Sequence, residues 1–294
     1  MDDRPTFDLQ SHSTYSDGTL PPAEVVARAA ADGVELLALS DHDTVDGVAE
    51  ALKAAAATGG ALRVVTAVEL STIDGDHEDL HVLGYGVDHT DPAFLATLER
   101  FRADRAARAD RMADALEDEC GLALHRAPLE ARRDAGLPIG RPHLARAAFD
   151  HPDNAQRVAD EELADFGKLL EAYLIPGAPA FRRRTTPTVA EAIAAIHAAG
   201  GVAIWAHPFW DVDAPGEVVG AIDRFVADGL DGVEAFYVTH TREETLLVAE
   251  ACADRGLLTT GSADFHGPDH PRFNRFRAFD LHGLRPRLGA IGQA

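Results

Sequence analysis

A (β/α) barrel of seven strands, interrupted by an inserted helical domain, is the architecture expected of this chain. Three observations lead there. Short apolar runs bounded by turn residues alternate with alanine-rich amphipathic stretches, the pattern of strands linked through helices. Seven such runs occur, one fewer than the common eight. Six of them end in a segment carrying His, Asp or Glu, and in a parallel barrel the downstream strand ends converge on one mouth.

In chain order, the first strand is Thr6–Leu9, and Pro21-Pro22 then open a helix over Pro22–Ala31. Leu36–Ser40 is the second strand and Val45–Ala57 the next helix. Arg63–Glu69 and Leu80–Tyr85 read as the third and fourth strands. Beyond the interruption come a helix at Val189–Ala199 started by Thr188, and a strand at Val202–Ala206. Then follow a helix at Glu217–Asp228, a strand at Gly232–Phe236, a helix at Arg242–Arg255 and a last strand at Leu258–Ser262. Gly33, Gly59, Gly200 and Gly256 stand where helices should end, because a left-handed terminal residue favours glycine.

The middle breaks this rhythm. Ala93–Glu119 reads as one long helix with Leu95, Leu98, Phe101, Ala109, Met112 and Leu116 on its apolar side. A second helix begins near Arg141 and a third covers Glu161–Tyr173, with no strand between them. The division is therefore a discontinuous barrel domain, residues 1–90 and 185–294, and a helical insertion, residues 91–184, forming a cap over the active site.

Composition narrows the function classes. No apolar run approaches the ~20 residues of a membrane helix, so no membrane association is expected. The first residues lack the basic start and apolar stretch of a signal peptide, and two cysteines make no disulfide framework; both point to the cytoplasm. A formal charge of −22 argues against duplex nucleic acid as a partner, since such binding needs a basic face. It leaves room for a small anion, because bound cations and a few arginines reverse the field locally.

The chemistry lies in the strand-end segments. Asp8-Leu-Gln10-Ser-His12-Ser-Thr-Tyr-Ser-Asp17-Gly comes first, then Ser40-Asp41-His42-Asp43, Val68-Glu69 and His81-Val-Leu-Gly-Tyr. Ala206-His207-Pro208 and Ala263-Asp264-Phe265-His266-Gly complete the set. Imidazoles and carboxylates hold Zn, Mn or Fe, and several gathered on one edge imply more than one cation. These segments, in this order, resemble the motifs of the PHP (polymerase and histidinol phosphatase) family over essentially the whole chain. The insertion, with Gly140-Arg-Pro-His-Leu-Ala, resembles the branch containing 3′,5′-nucleoside bisphosphate phosphatases and a 5′→3′ exoribonuclease of short RNAs.

The resemblance implies a distorted seven-stranded barrel, the PHP fold, with two or three divalent metals: manganese, iron or zinc. Carried over residue by residue, one metal is held by His12, Glu69 and Asp264. Glu69 bridges to a second completed by His81 and His207, and Asp17, His42 and His266 hold the third. Such a site acts through a hydroxide bridging two cations that also clamp the phosphate oxygens; paired metals sit ~3.5–4 Å apart. The family signature starts with His-x-His, whereas this chain has Gln10 at the first position. Three readings stand: Gln10 ligates weakly, holds a metal-bound water, or leaves the first metal loosely bound.

Asp41 and Asp43 fit an orienting role better than coordination, and Ser13 and Ser16 fit turn caps. Arg102, Arg105, Arg108 and Arg111 recur every third residue, either as a solvated face paired with Asp104, Asp110 and Glu117 or, as the resemblance implies, as phosphate ligands. Arg105 and Arg108 fit the second role best, with Arg141, His143 and His240 as further substrate contacts. The expected activity is hydrolysis of a phosphate monoester on a small nucleotide, 3′,5′-bisphosphate to 5′-monophosphate, or at the end of a short oligonucleotide. The alternatives are a phosphatase for another metabolite such as histidinol phosphate, and a weakly active metal-binding scaffold. Amide or C–N hydrolysis ranks lower, since Lys53 and Lys168, the only lysines, are not at strand ends where a carbamylated bridge would stand.

Overall fold

The computed structural model describes residues 4–136, 139–210 and 212–293; the first three residues of the signal-peptide reading lie outside that range. Its contacts divide the chain into two compact units, residues 1–98 with 187–294, and residues 99–186.

The first unit is a nearly closed barrel. Its seven strands are β1 (Phe7–Asp8), β2 (Leu36–Leu39), β3 (Arg63–Asp74), β4 (His77–Tyr85), β5 (Val202–Trp205), β6 (Gly232–Tyr237) and β7 (Leu258–Ser262), neighbours in sequence order. Closure from β7 back to β1 rests on Leu9 N–H donating to the Gly261 carbonyl at 3.2 Å and on a parallel bridge between Ser11 and Phe265. The expectation of wholly parallel strands needs one correction. β4 runs antiparallel to both β3 and β5, pairing Ser71 with His81 and Val82 with Trp205. β3 continues five residues past Glu69 and turns through Asp74-Gly75-Asp76 into β4, Gly75 adopting a φ of +58° that glycine takes without penalty. Glu69 and His81 therefore sit within strands, not at their downstream ends.

Helices cover the barrel where their sequences are apolar on one side. α1 (Pro22–Ala31) buries Val25, Val26 and Ala29, and α2 (Val48–Ala56) buries Ala51 and Ala55, in one cluster with Leu37 and Leu39 of β2. Long helix α3 (Pro92–Asp114) ends in a π-helical turn, Ala115–Glu119. The second unit contains α4 (Arg126–Asp134), α5 (Arg141–Phe149), α6 (Ala155–Asp160) and α7 (Phe166–Tyr173). Its core is a leucine and alanine cluster that includes Met112, Leu116, Leu122, Leu144, Leu169 and Leu174. On the long helix Leu95 is 36% exposed, contrary to its assignment to the apolar side, whereas Leu98, Phe101, Ala109, Met112 and Leu116 are buried.

Back in the barrel unit, α8 (Val189–Ala198), α9 (Pro215–Ala227) and α10 (Arg242–Arg255) precede or follow β5, β6 and β7. Thr188 and Thr241 each close a capping box, with Glu191 and Glu244, so both helix starts have their first amides satisfied. Gly256 ends α10 in the left-handed conformation. Among the described residues no helix is long and apolar enough to cross a membrane.

Candidate metal centre

Loops leaving β1, β2, β5 and β7, together with the facing parts of β3 and β4, bring eight side chains to one point. His12 and Asp17 come from the turn after β1, His42 follows β2, and Glu69 and His81 face each other across the β3–β4 pair. His207 follows β5; Asp264 and His266 follow β7. The turn after β1 needs a glycine at its end: a Cβ on Gly18 would lie 2.3 Å from the His12 carbonyl oxygen. Asp43, His207 and Asp264 all have positive φ, at 56°, 27° and 53°, a strain that His and Asp tolerate better than most residues.

Glu69 is the centre of the arrangement. Its Oε1 lies 2.7 Å from His81 Nδ1 and 3.1 Å from His207 Nε2, and those two imidazole nitrogens are 3.3 Å apart. Its Oε2 lies 3.0 Å from His12 Nε2, which is 3.1 Å from Asp264 Oδ1. A further group forms around Asp17, whose Oδ2 is 3.6 Å from His42 Nε2 and whose Oδ1 is 3.5 Å from His266 Nε2. His42 turns its Nδ1 back toward Glu69 Oε2 at 3.7 Å. Glu69 is fully buried while Asp17 is 52% exposed, so the cage has its floor at the bridging glutamate and its rim at Asp17.

These residues fit divalent cations. His12 Nε2, His42 Nδ1, His207 Nδ1 and Asp264 Oδ1 are buried without a hydrogen-bond partner, an expensive condition unless something else satisfies them. His12 Nε2 and Asp264 Oδ1 stand 3.1 Å apart and yet do not align as donor and acceptor, the relation expected of two ligands aimed at a third atom. Three sets have ligand atoms close enough to share an ion: His12, Asp17, His42 and His266; His42, Glu69 and His81; and His12, Glu69 and Asp264. Mixed nitrogen and oxygen donors suit first-row divalent metals. His266 donates Nδ1–H to the Asp264 carbonyl at 2.7 Å, which leaves Nε2 as its outward-facing nitrogen.

Charge explains why the groups tolerate one another. Burial opposes ionisation of Glu69, but His42, His81, His12 and His207 outweigh it and hold the carboxyl well below its usual range. Burial likewise opposes a charge on His207, yet Glu69 raises that imidazole to about 9. His12 is raised through Asp264 and Glu69 against the same opposition. His42 is the exception, pushed down to about 4 by burial although Glu69 and Asp17 oppose the shift. Without cations, protons on His12 and His207 supply the countercharge to the carboxylates.

Around the cage lies a layer that holds it. Asp41 accepts three hydrogen bonds of 2.7 Å from Ser13 N–H, Ser13 O–H and Ser16 O–H, so both serines pin the turn, as their capping role predicted. Asp43 accepts the Ser71 amide. Tyr237 donates its hydroxyl to Asp264 Oδ2 at 2.7 Å, and Glu234 accepts the His207 amide at 3.0 Å. Sequence reasoning missed both. The signal was a carboxylate and a tyrosine inside an otherwise apolar strand.

Gln10 points its amide nitrogen at Glu69 Oε2, 2.9 Å away, and its oxygen at Ser262 Oγ, 3.3 Å away. Ser262 also lies 2.7 Å from Glu234, whose carboxyl burial pushes up to about 8. The Ser262 hydroxyl thus faces two acceptors, donating to Glu234 Oε1 with the Gln10 amide oxygen also in reach.

The other predicted contacts are placed as follows. His240 follows β6, donates Nδ1–H to the Ala235 carbonyl at 3.1 Å and packs edge-on against Phe209. Arg105, Arg108, Arg141 and His143 belong to the helical unit. Arg108 is buried there, with Nε donating to the Arg182 carbonyl and its guanidinium 5.3 Å over Phe181. His143 accepts the Gly140 amide on Nδ1, and burial, with the charges of Arg132 and Arg105, lowers it to about 4. Asp110 and Glu117 pair with Arg133 and Arg126, while Asp104 accepts from Thr185.

Comparison with known proteins identifies the family. The PHP domain pattern matches residues 8–168. The chain belongs to the PHP family. Among its PHP relatives, a 5′-3′ exoribonuclease of Haemophilus influenzae is 35% identical over 89% of this chain and 90% of its own. A 3′,5′-nucleoside bisphosphate phosphatase of Chromobacterium violaceum is 34% identical over 89% and 87%. The structure of an amidohydrolase from Chromobacterium violaceum, with sulfate bound and no metal, superposes with a TM-score of 0.77 at 32% identity, covering 98% of this chain and 96% of its own. A structure described as a metal-dependent phosphoesterase of Bifidobacterium adolescentis gives 0.72 at 27% identity, covering 96% and 100%. The protein is a PHP metal-dependent phosphoesterase, hence a hydrolase.

Proposed function

We propose that this PHP phosphoesterase removes a phosphate monoester from a nucleotide, converting a 3′,5′-nucleoside bisphosphate to the 5′-monophosphate, or acts at the end of a short oligonucleotide. Two or three cations (Mn, Fe or Zn) would be held by His12, Glu69 and Asp264, by Glu69, His81 and His207, and by Asp17, His42 and His266. The observation that carries this reading is the division of Glu69, with His81 and His207 at one oxygen and His12 at the other. Bound divalent cations lower the pKa of water and neutralise phosphate oxygens during in-line displacement. The chain's own part is to position. Glu69 balances the charge of two neighbouring sites, Tyr237 fixes Asp264, and Asp41 fixes the turn that carries His12 and Asp17. Gln10, with its amide hydrogen on Glu69, favours the two readings in which it is not itself a ligand, holding a metal-bound water or leaving the first cation loosely bound.

The substrate class is supported by the relatives named as a bisphosphate phosphatase and an exoribonuclease, and by sulfate, a phosphate analogue, in the related amidohydrolase structure. Arg105, whose charge lowers the His143 imidazole, and His143 itself are the contacts proposed for a second phosphate, with Arg141 two residues before His143. Arg108, with its Nε bonded to Arg182, is the less favoured candidate. Against C–N hydrolysis, Lys53 lies on α2 and Lys168 on α7, so no lysine stands at a strand end. The test is steady-state turnover of Mn²⁺-supplemented protein on adenosine 3′,5′-bisphosphate and on histidinol phosphate, with product analysis. The reading requires release of the 3′-phosphate and a higher kcat/KM for the bisphosphate. Equal or greater efficiency on histidinol phosphate would overturn it.

A further inference from the structure

Among the described residues four large hydrophobic side chains are exposed, Tyr15, Leu95, Ile175 and Trp210, and the two aromatic ones both leave loops that carry cage residues. Trp210 is 47% exposed although Trp205, five residues earlier, is completely buried. Its position is fixed by the site itself. The Trp210 amide donates to the His207 carbonyl at 2.8 Å, and its ring lies 6.4 Å from the His207 ring. Phe273, 5.7 Å from Trp210, is tied to the cage in the same way, its carbonyl accepting the His266 amide at 2.9 Å. Arg272, exposed, sets its guanidinium 5.5 Å over the Trp210 ring.

A rigid, partly open indole anchored to a metal-site histidine, with a guanidinium over it and a second ring behind, is a surface for a flat π-system attached to an anion. We propose that Trp210, supported by Phe273 and Arg272, is a base-stacking platform beside the metal centre, and that the preferred substrate carries a nucleobase without strong preference for which one. This rests on the nucleotide reading above and deepens it. Stacking recognises the face that every base shares, so it selects nucleotides over base-free phosphate esters and discriminates weakly among bases.

With two tryptophans in the chain, one buried and one open, fluorescence isolates the platform. Zinc-supplemented protein is titrated with adenosine 5′-monophosphate, uridine 5′-monophosphate and ribose 5-phosphate. Saturable quenching by both nucleotides and not by the sugar phosphate is expected, and Trp210→Phe should lose the quenching while keeping nucleotide affinity. Trp210→Ala should lower the ratio of kcat/KM for adenosine 3′,5′-bisphosphate over that for base-free ribose 3,5-bisphosphate by about 5- to 140-fold, the equivalent of about 1–3 kcal/mol of stacking. Quenching by ribose 5-phosphate equal to that by the nucleotides, no quenching by any ligand, or an unchanged ratio in Trp210→Ala would overturn the proposal. If the parent fails to hydrolyse the bisphosphate, the substrate reading falls, and quenching by the nucleotides alone still decides the platform.

Discussion

The two units of this chain solve opposite problems. The barrel buries ionisable groups, among them His12, Glu69, His207, Glu234 and Asp264, around one point. The helical unit buries leucine and alanine and keeps most of its charge outside, in exposed pairs such as Arg133 with Asp110 and Arg126 with Glu117. Buried charges cost free energy unless opposite charges accompany them, whereas apolar burial is favourable unaided. The barrel mouth is thus completed by cations, and the helical unit by its own packing.

Four experiments would break or sharpen that contrast. The largest effect belongs to Glu69→Gln, which removes the charge facing four imidazoles. Elemental analysis should show loss of at least one cation per chain, and kcat/KM should fall on the order of 10³-fold, about 4 kcal/mol. Parent-like metal content and rate would mean that the barrel is not organised around this carboxylate. Next, Leu169→Ala in the core of the helical unit should cost about 2–5 kcal/mol, read as earlier urea unfolding, while metal content stays at the parent level. Metal loss in this variant would erase the distinction between the units.

Tyr237→Phe should then weaken metal affinity by about 10–100-fold, the usual consequence of removing an outer partner of a ligand, with the ring still filling its place. An unaltered affinity in chelator competition would assign the tyrosine to packing alone. The smallest effect concerns pH. His143 is lowered to about 4 in the folded chain from an ordinary 6.5, so the unfolded chain binds the extra proton first. Its contribution to stability is present above pH 6.5 and is lost as pH falls toward 4. Urea midpoints between pH 7 and 4.5 should therefore decline less in His143→Gln than in the parent, and parallel curves would count against the assignment.

How much of this was legible in the sequence depended on whether a feature is local. The strand-end motifs were, because short segments such as Ser40-Asp41-His42-Asp43 carry their ligand types within a few residues. The direction of β4 was harder, since alternation reads the same both ways, and the polar run Ser71-Thr72 hid the continuation of β3. The Asp74-Gly75 turn was the available clue. α4 escaped because it buries only Leu129, and α6 because it buries none of its residues. The third predicted helix, Glu161–Tyr173, is α7 alone, capped by Asp165 onto the Lys168 amide after Glu162 takes a positive φ.

Glu234 and Tyr237 were least legible. They lie three residues apart and would face opposite sides of a regular strand, but the pairing of β6 with β7 shifts register between Glu234 and Phe236. That irregularity turns both side chains toward the same centre, and only the partner strand reveals it.

The left-handed backbone at Asp43, His207 and Asp264 has a practical corollary for anyone dissecting this mouth by mutagenesis. Alanine disfavours that conformation, so an alanine scan would report the lost functional group and a relaxed or distorted main chain together. Asparagine, which enters the left-handed region readily, separates the two at the aspartates: Asp264→Asn changes charge while sparing the loop.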